Sequence, residues 1–380
     1  MGPLEGYKII EIAGIGPGQF CGMLLADMGA RLIRIDNPAG GDRGVAMPPK
    51  YNLMNRSRPA VGVDLKEPEG AGLVLRLCAG ADALFEGFRP GVMERLGLGP
   101  DDCMARNRRL VYGRSTGWGQ EGPLAGRVGH DTNYIALAGA LGMLGDADRP
   151  PPVPLNLIGD FGGGGLYLAL GMLAAMLEAN RSGRGQVVDA AMVDGTASML
   201  TLFYGMLAGG LWSDRRGANL FDGSAPFVRS YETRDGGYVA VCAIERRFFA
   251  ALLEALETDE IDPADQYRAE AWPDHHRILE KLFKSRTRDE WTQAFEGKDA
   301  CFAPVLTLAE AAQHPHSRAR QSHLSVDGIL QPAPAPRFSR TPSAIQGPPS
   351  TPGENLQESL GDWGLDEAEI ARLIESGVVQ

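Results

Sequence analysis

Cysteine is sparse and irregular in this chain. Five residues, Cys21, Cys78, Cys103, Cys242 and Cys301, are scattered over 380 positions, odd in number and without CxxC spacing. That excludes a disulfide framework and offers no zinc-type ligand set, so the thiols read as reduced residues of the core and no metal is expected. Positive charge is also short: 37 Lys and Arg against 48 Asp and Glu leave a formal net charge of −11. A nucleic-acid or anionic-membrane surface needs a basic footprint to release counterions, and this balance argues against both. The opening MGPLEGYKII lacks a basic start followed by an apolar run, and no stretch approaches the uninterrupted apolar length of a bilayer span. The expectation is a soluble, cytoplasmic globular chain.

With 44% hydrophobic and 22% charged residues, the composition supports a full core and the length suits about two domains. The first part alternates β-branched runs with helical patterns: YKIIEIAG, FCGMLLADMGA, RLIRID, GLVLRLCAGA and ALFEGF, then RRLVYGRS and QVVDAAM. That rhythm predicts an α/β fold with a parallel sheet covered on both faces. GLYLALGMLAAMLEAN is apolar nearly all round and follows Gly162–Gly165, which predicts a buried helix opening from a glycine-rich turn with free backbone N–H groups at its start. After about residue 222 the texture changes. VRSYETRDGGYVAVCAIE reads as a β-hairpin around Asp235-Gly236-Gly237 in a smaller unit, followed by helical patterns in ERRFFAALLEALE and DHHRILEKLFKS. The tract QPAPAPRFSRTPSAIQGPPSTPGEN is extended and suited to crossing a surface or a partner subunit, and LDEAEIARLIESG is a short amphipathic helix stopped at Gly377.

Three constellations carry chemistry. The first, GIGPGQ between a strand and a helix with Asp36 about twenty residues on, has the outline of a dinucleotide fingerprint. Its glycines stand at 14, 16 and 18, the third one residue early, and Pro17 removes a donor, so a plain strand-to-helix turn explains it as well. The second joins GHDTNY (129–134) to LNLIGDFGGGG (155–165). His130, the first histidine of the chain, sits in a turn-like context, and Asp160 reads either as a helix N-cap or as an acid–base group. Removing a proton from one face of a carbon and returning it to the other needs two different acid–base groups facing each other, and a histidine with an aspartate can supply them. The glycine-rich helix start at 162–165 offers donors for an enolate oxygen. Glu245 follows the strand YVAVCAI and reads either as a first-turn acid favoured by the helix dipole or as a partner for His130. The third is EGFRPGVMERLGLGP (86–100), where Arg89 and Arg95 flank a Pro-Gly turn at a spacing suited to two phosphates of one ligand. Arg34, Arg56 and Arg58 either join them or hold acids on neighbouring strands.

The series IAGIGPGQ, NRSRPAVGVDLK, EGFRPGVMERLGLGP, GWGQEGP, GHDTNYIALAGALG, NLIGDFGGG, GRGQVVDAAMVDG and PAPRFSRT resembles, in order and over almost the whole chain, the α-methylacyl-CoA racemases of the family III CoA-transferase superfamily. The resemblance implies a Rossmann-like large domain (1–195 and 331–380), a linker (196–221), a smaller α+β domain (222–305), a second linker (306–330), and two chains interlocked as a homodimer. It implies His130 and Asp160 as the acid–base pair, with Glu245 beside the histidine. It assigns coenzyme A to Asn37, Val63, Asp64, Leu65, Lys66, Gly87, Phe88, Arg89, Arg95, and Gly129 through Asp131, Thr132, Asn133 and Tyr134. No separate cofactor is implied, because coenzyme A is part of the acyl-CoA substrate. Some relatives carry a basic residue where Asn37 stands, and Arg43 is the nearby candidate to replace it. The same superfamily contains CoA-transferases, in which Asp160 would be the nucleophile.

Overall fold

A computed structural model describes residues 2–40, 45 and 47–380; Arg43 lies outside them. The chain divides into two compact units, Met1–Ala138 with Pro154–Met199 and Ala319–Gln380, and Gly139–Val153 with Leu200–Arg318.

The first unit is built on six parallel strands: β1 (Lys8–Ile12), β2 (Arg31–Asp36), β3 (Ala60–Gly62), β4 (Ala83–Glu86), β5 (Val111–Thr116) and β6 (Val187–Ala191). Their order is β3-β2-β1-β4-β5-β6, with β1 paired in parallel to both β2 and β4. Alternate side chains serve opposite faces. Ile9, Leu32, Phe85 and Val111 meet α1 (Pro17–Asp27) and α6 (Tyr167–Ser182) through Cys21, Leu25, Leu168 and Met172. Ile10, Ile33, Leu84 and Tyr112 face the other way, towards Leu73 and Leu77 of α2 (Pro68–Ala79), then past α3 (Val92–Arg95) to Cys103 of α4 (Pro100–Arg106), and to Leu360, Ile370 and Leu373 of the C-terminal helices. Each such Ile or Leu, fully buried, contributes about 1.5–3 kcal/mol.

Two faces of burial leave no room for unpaired charge. Arg58 Nε stands 3.0 Å from Glu11 Oε2, both side chains wholly buried; the N–H is not aligned on that oxygen, so this is an ion pair by distance and not a hydrogen bond. The other Arg58 nitrogens donate to the carbonyls of Gln19 (3.2 Å) and Met54 (2.6 Å). Gly22 makes the room, since a Cβ there would come within 2.5 Å of Glu11 Oε2. Arg34 pairs with Asp36 at 2.6 Å and Arg56 with Asp27 at 2.5 Å. The three arginines therefore hold acids within the fold, and Asp36, 3% exposed, is committed to Arg34.

Before α6, the chain opens α5 (Asp131–Leu137) and then a π-helical stretch, Leu157–Leu166, which runs straight into α6. The expected free N–H groups at 162–165 are not there: the helix begins at Leu157, and the glycines lie inside it. They are glycine because neighbours press close. A Cβ at Gly163 would meet Thr196 Oγ1 at 2.7 Å in α7 (Met192–Met199), and one at Gly165 would meet the Pro17 carbonyl at 2.8 Å. The combined Leu157–Ser182 helix spans 26 residues with mean hydropathy 1.4 in its most apolar window, long and apolar enough to cross a membrane by length and composition. This corrects the expectation of no such segment; the glycine run masks its continuity in the sequence. One face of it, including Leu168, Met172, Ala175, Met176 and Ala179, is buried in the unit's core.

The proline-rich tract runs over this unit: Ala344 N–H donates to the Asp27 carbonyl (2.9 Å), Gln346 Nε2 to that of Ala26 (2.6 Å), and Gly347 accepts from Ser57 N–H (3.0 Å).

The second unit includes α8 (Thr201–Ala208). The strands β7 (Val228–Glu232), β8 (Tyr238–Cys242) and β9 (Phe302–Pro304) pair antiparallel, and Thr233 N–H bonds the Gly237 carbonyl (2.9 Å) across the expected hairpin turn. Phe249 of α9 (Arg246–Ala255), Leu279 and Phe283 of α10 (Trp272–Phe283) and Trp291 of α11 (Arg288–Ala294) fill its core. Residues 139–153, expected in the large domain, belong here, where Arg216 donates to the carbonyls of Asp146 (3.0 Å) and Arg149 (2.7 Å). Residues 196–199 complete α7 in the first unit, and 319–330, including β10 (His323–Val326) and the first residues of β11 (Ile329–Pro332), also lie there. Of the five thiols expected in the core, Cys21, Cys78 and Cys103 are buried, whereas Cys242, the last residue of β8, and Cys301, just before β9, are exposed.

The Arg58–Glu11 pair gives a test of the first unit's packing. Arg58→Met leaves Glu11 buried without its ion-pair partner and is expected to cost about 3–5 kcal/mol, read as a lowered urea midpoint, while Glu11→Leu combined with Arg58→Met recovers most of the loss. A single variant as stable as the parent would contradict this account.

Candidate active site

The strand order reverses between β1 and β4. On leaving their carboxyl ends the chain turns in opposite directions, so a crevice opens there, the usual ligand position in an open parallel sheet. A cavity of about 480 Å³ occupies it. Its walls come from the loop after β1 (Gly14–Gly18), the loop after β4 (Glu86–Pro90), the end of β5 (Ser115–Trp118), the segment Ala125–His130, and Tyr134, Asp160 and Met192. Residues far apart in sequence, His130 and Asp160, thus line one cavity.

Asp160 lies in the first turn of the π-helical stretch and does not cap it. Its N–H donates to Asp131 Oδ2 at 2.7 Å, and Asn156 Nδ2 donates to its Oδ2 at 3.0 Å. The loop after β1 lies against the same carboxylate: a Cβ on Gly16, whose φ is +64°, would stand 2.8 Å from Asp160 Oδ2. Gly16 therefore meets a carboxylate, which would repel a phosphate placed at this turn. Burial raises the Asp160 pKa above the ordinary carboxylate range; the Asn156 hydrogen bond opposes that shift, Asp131 adds to it, and a charge on His130 opposes it.

His130 occupies the extended position before α5 and is exposed, with its N–H on Asn133 Oδ1 at 3.0 Å. Asp131, expected among the coenzyme A contacts, is 5% exposed, and its carboxylate is turned to the Asp160 N–H. Its side chain thus fixes Asp160 instead of facing a ligand. Tyr134 packs edge-on to Trp118 (4.7 Å, 83°) and donates its hydroxyl to the Gly129 carbonyl. Burial, then Asp160, raise its phenol pKa, with Arg89 acting in the opposite sense.

Of the other expected ligand contacts, Gly87, Phe88, Arg89 and Gly129 line the cavity, while Asn37, Val63–Lys66, Arg95, Thr132 and Asn133 do not. The Val63 side chain is 1% exposed inside the core and its N–H bonds the Asp36 carbonyl, which leaves that side chain no ligand role. Lys66 is exposed, in a turn where Asp64 Oδ1 accepts its N–H (2.9 Å), and Leu65 packs on the core. Asn37 is exposed and accepts from Ala39 N–H (3.0 Å). Glu245 belongs to the second unit, exposed at the N-cap position of α9.

Sequence reasoning missed Asn156, whose signal was its place four residues before Asp160, one helical turn away. It also missed Glu86, which ends β4 on the cavity wall. Its Oε2 accepts the Phe88 N–H at 2.6 Å, and burial pushes its carboxyl up to about 7. Arg114 reaches both the buried Glu86, at 3.5 Å, and the exposed Glu94, so a bridge braces the loop that carries Arg89.

Residues 4–355 match the CoA-transferase family III. The chain belongs to this family. Among family III relatives, the α-methylacyl-CoA racemase of Mus musculus is 42% identical, covering 99% of this chain and 97% of the relative. That of Homo sapiens is 39% identical over the same shares of each. A solved CAIB/BAIF family protein from Brucella suis superposes with a TM-score of 0.81 at 26% identity, covering 95% of this chain and 99% of that one.

The contacts of Asp160 make a direct forecast. Asn156→Ala removes a donor that favours the ionised carboxylate, so Asp160 should titrate at a still higher pH, followed by carboxyl carbon NMR with the resonance assigned through Asp160→Asn. An unchanged titration would show that the 3.0 Å contact does not stabilise the charge.

Proposed function

We propose that this chain inverts the α-carbon of 2-methylacyl-CoA thioesters by two-base proton transfer, one of His130 and Asp160 taking the proton while the other returns one to the opposite face. The observation that carries the reading is that both side chains line the one cavity at the strand-order reversal. The raised Asp160 pKa supports it, because a carboxyl that keeps its proton more readily serves as acid for one hand and as base for the other. The planar enolate formed in between needs donors at its oxygen, a role for the first-turn N–H groups of α5 and of the helix that starts at Leu157 other than those of Asn133 and Asp160, which bond the His130 carbonyl and the Asp131 carboxylate. Arg89, on the cavity wall, meets the coenzyme A phosphates, Arg95 assists from α3, and Glu245 orients His130. Met192 belongs to the surface on which the acyl chain slides, while Met172 is core.

The working form is an interlinked homodimer in the cytoplasm, acting in the metabolism of branched fatty acids. The apolar residues left exposed support the dimer: Leu170 and Leu177 on α6, Leu202 and Leu207 on α8. The alternative within the family is a CoA-transferase with Asp160 as nucleophile.

One pure enantiomer of a 2-methylacyl-CoA, incubated in deuterated buffer with and without a free carboxylic acid, separates the two. Deuterium uptake with approach to a near-equal epimer mixture supports the racemase, and an unchanged centre with coenzyme A passing to the acid supports the transferase. His130→Ala and Asp160→Asn should each slow inversion by about 10²–10⁴-fold. Each variant should keep α-deuterium exchange on one hand of substrate only, and the hands should differ. Wild-type inversion in either would sink the two-base assignment.

The pH profile carries a sign. As pH falls through the raised Asp160 pKa the pair takes up a second proton and loses its base, so the acidic limb of kcat/KM lies above the ordinary carboxylate range. An acidic limb at an ordinary carboxylate value would count against Asp160. Arg89→Ala should raise KM for the thioester and flatten its dependence on ionic strength, with kcat little changed; an unaltered KM would remove Arg89 from the phosphate site.

A further inference from the structure

Glu86 stands on the cavity wall without a part in the proton transfer. It closes β4, and the strand register sets it opposite Arg114 of β5, which in turn stands opposite Asp189 of β6. One rung of three neighbouring strands thus reads acid, base, acid. Glu94 of α3 joins them by pairing with Arg114. Three carboxylates share a single guanidinium, whose Nη1 is already given to Gln120 Oε1 at 2.8 Å. Glu86, 3% exposed, is the most deeply buried of the three, and its hold on that charge is loose: Arg114 Nε lies 3.5 Å from its Oε1 and makes no hydrogen bond there.

The firm partner of Glu86 is the chain that leaves the strand. Its Oε2 accepts the Phe88 N–H at 2.6 Å, and the Phe88 side chain packs on the core. Arg89 follows at once on the cavity wall, and its carbonyl accepts the Val92 N–H at 3.1 Å across Gly91, whose φ is +80°. The turn that carries Arg89 is therefore fixed at two backbone points, and Glu86 supplies the first of them.

We propose that Glu86 is a positioning residue for the ligand's phosphates: by holding the Phe88 N–H, its carboxylate sets the turn that presents Arg89. The proposal rests on the reading of Arg89 as a coenzyme A contact. An amide bonds an ionised carboxylate more strongly than a neutral acid, so the hold depends on charge. The charged and titratable groups around Glu86 are Arg114 and Tyr112 on β5, Glu94 on α3, Asp189 on β6 and Arg89 in the turn itself. Burial moves the Glu86 carboxyl up to about 7 against the Phe88 N–H and Arg114, and Glu94 and Asp189 add to the rise. The ordered turn favours the ionised form, so the grip is full above that pH and weakens as pH falls through it. Repulsion between ionised Glu86 and a phosphate acts in the opposite sense, but Arg114 offsets that charge and the hold on the turn prevails.

The test is coenzyme A binding to the full-length protein, by isothermal titration calorimetry at about pH 6 and about pH 8, on either side of the Glu86 value. Glutamine keeps the acceptor without the charge. The Kd of Glu86→Gln divided by that of the parent should be about 5 near pH 8 and close to 1 near pH 6, and titration of the ligand's own phosphate cancels in this ratio. In an Arg89→Ala background the same change should leave Kd near pH 8 unaltered, since Glu86 acts through Arg89. A ratio of 1 or less near pH 8, a ratio equally raised at both pH values, or a full effect without Arg89 would each overturn the role. With isotope-labelled phenylalanine, the Phe88 amide resonance, assigned through Phe88→Leu, should move with a midpoint near 7 in the parent and stay fixed in Glu86→Gln. A Phe88 amide that stays fixed in the parent overturns the role of Glu86 and leaves the coenzyme A reading intact. A parent that binds no coenzyme A would sink that reading, and this role with it.

Discussion

A parallel sheet must be covered on both faces, because its crossover connections lie there and its strands carry apolar side chains in both directions. That requirement arranges the first unit. It draws α1 and α6 onto one side, α2, α4 and the C-terminal helices onto the other, and leaves the strand ends as the edge where backbone and polar groups meet a ligand. The charged residues that the sheet could not avoid, Glu11 and Arg34 among them, are paired within the layer. The glycines at 162–165 answer the same demand, since α1 and α7 lie too close for side chains.

At the strand ends the electrostatics follow from two backbone-level contacts. Asp131 gives its carboxylate to the Asp160 N–H, which joins the GHD turn to the start of the apolar helix and places a second negative charge beside Asp160. Gly16 brings the first loop of the sheet up to the same carboxylate. Burial and a like charge both work against ionisation, and one amide hydrogen bond from Asn156 works for it. The resulting group sits nearer the middle of the pH scale than a surface aspartate without any unusual residue type.

Much of this was legible in the sequence. Alternating β-branched runs and helical patterns were enough for a parallel α/β layer, and the Asp-Gly-Gly turn for a hairpin, because both depend on local periodicity and turn chemistry. His130 and Asp160 stood out through unusual neighbours. What the sequence concealed depends on distant contacts. Arg34, Arg56 and Arg58 looked equally able to bind phosphate or hold acids, and only the packing of α1 against the sheet decides it. Val63 lay in a motif with ligand-binding associations yet faces the core, since a three-residue strand gives too little alternation to show its direction. The loop 139–153 looked continuous with the helix before it, and the arginine that holds it is more than sixty residues away. Glu86 hid in the same way, as one acid in a strand end, until Arg114 and the Phe88 N–H came to meet it.

The π-helical stretch has a consequence for how the chain can change. A π turn carries one residue more than an α turn and seldom persists beyond a single turn, yet this one covers ten residues, Leu157–Leu166, and contains Asp160. Loss of one residue from the glycine run would let one of its turns relax to ordinary winding, and each residue of an α-helix turns the side chains by about 100°. The carboxylate would then be swung off the crevice although every side chain around it remained. The aim of Asp160 is held in the length of the run that follows it, so a deletion of one glycine is a larger event for this chain than most substitutions of its neighbours.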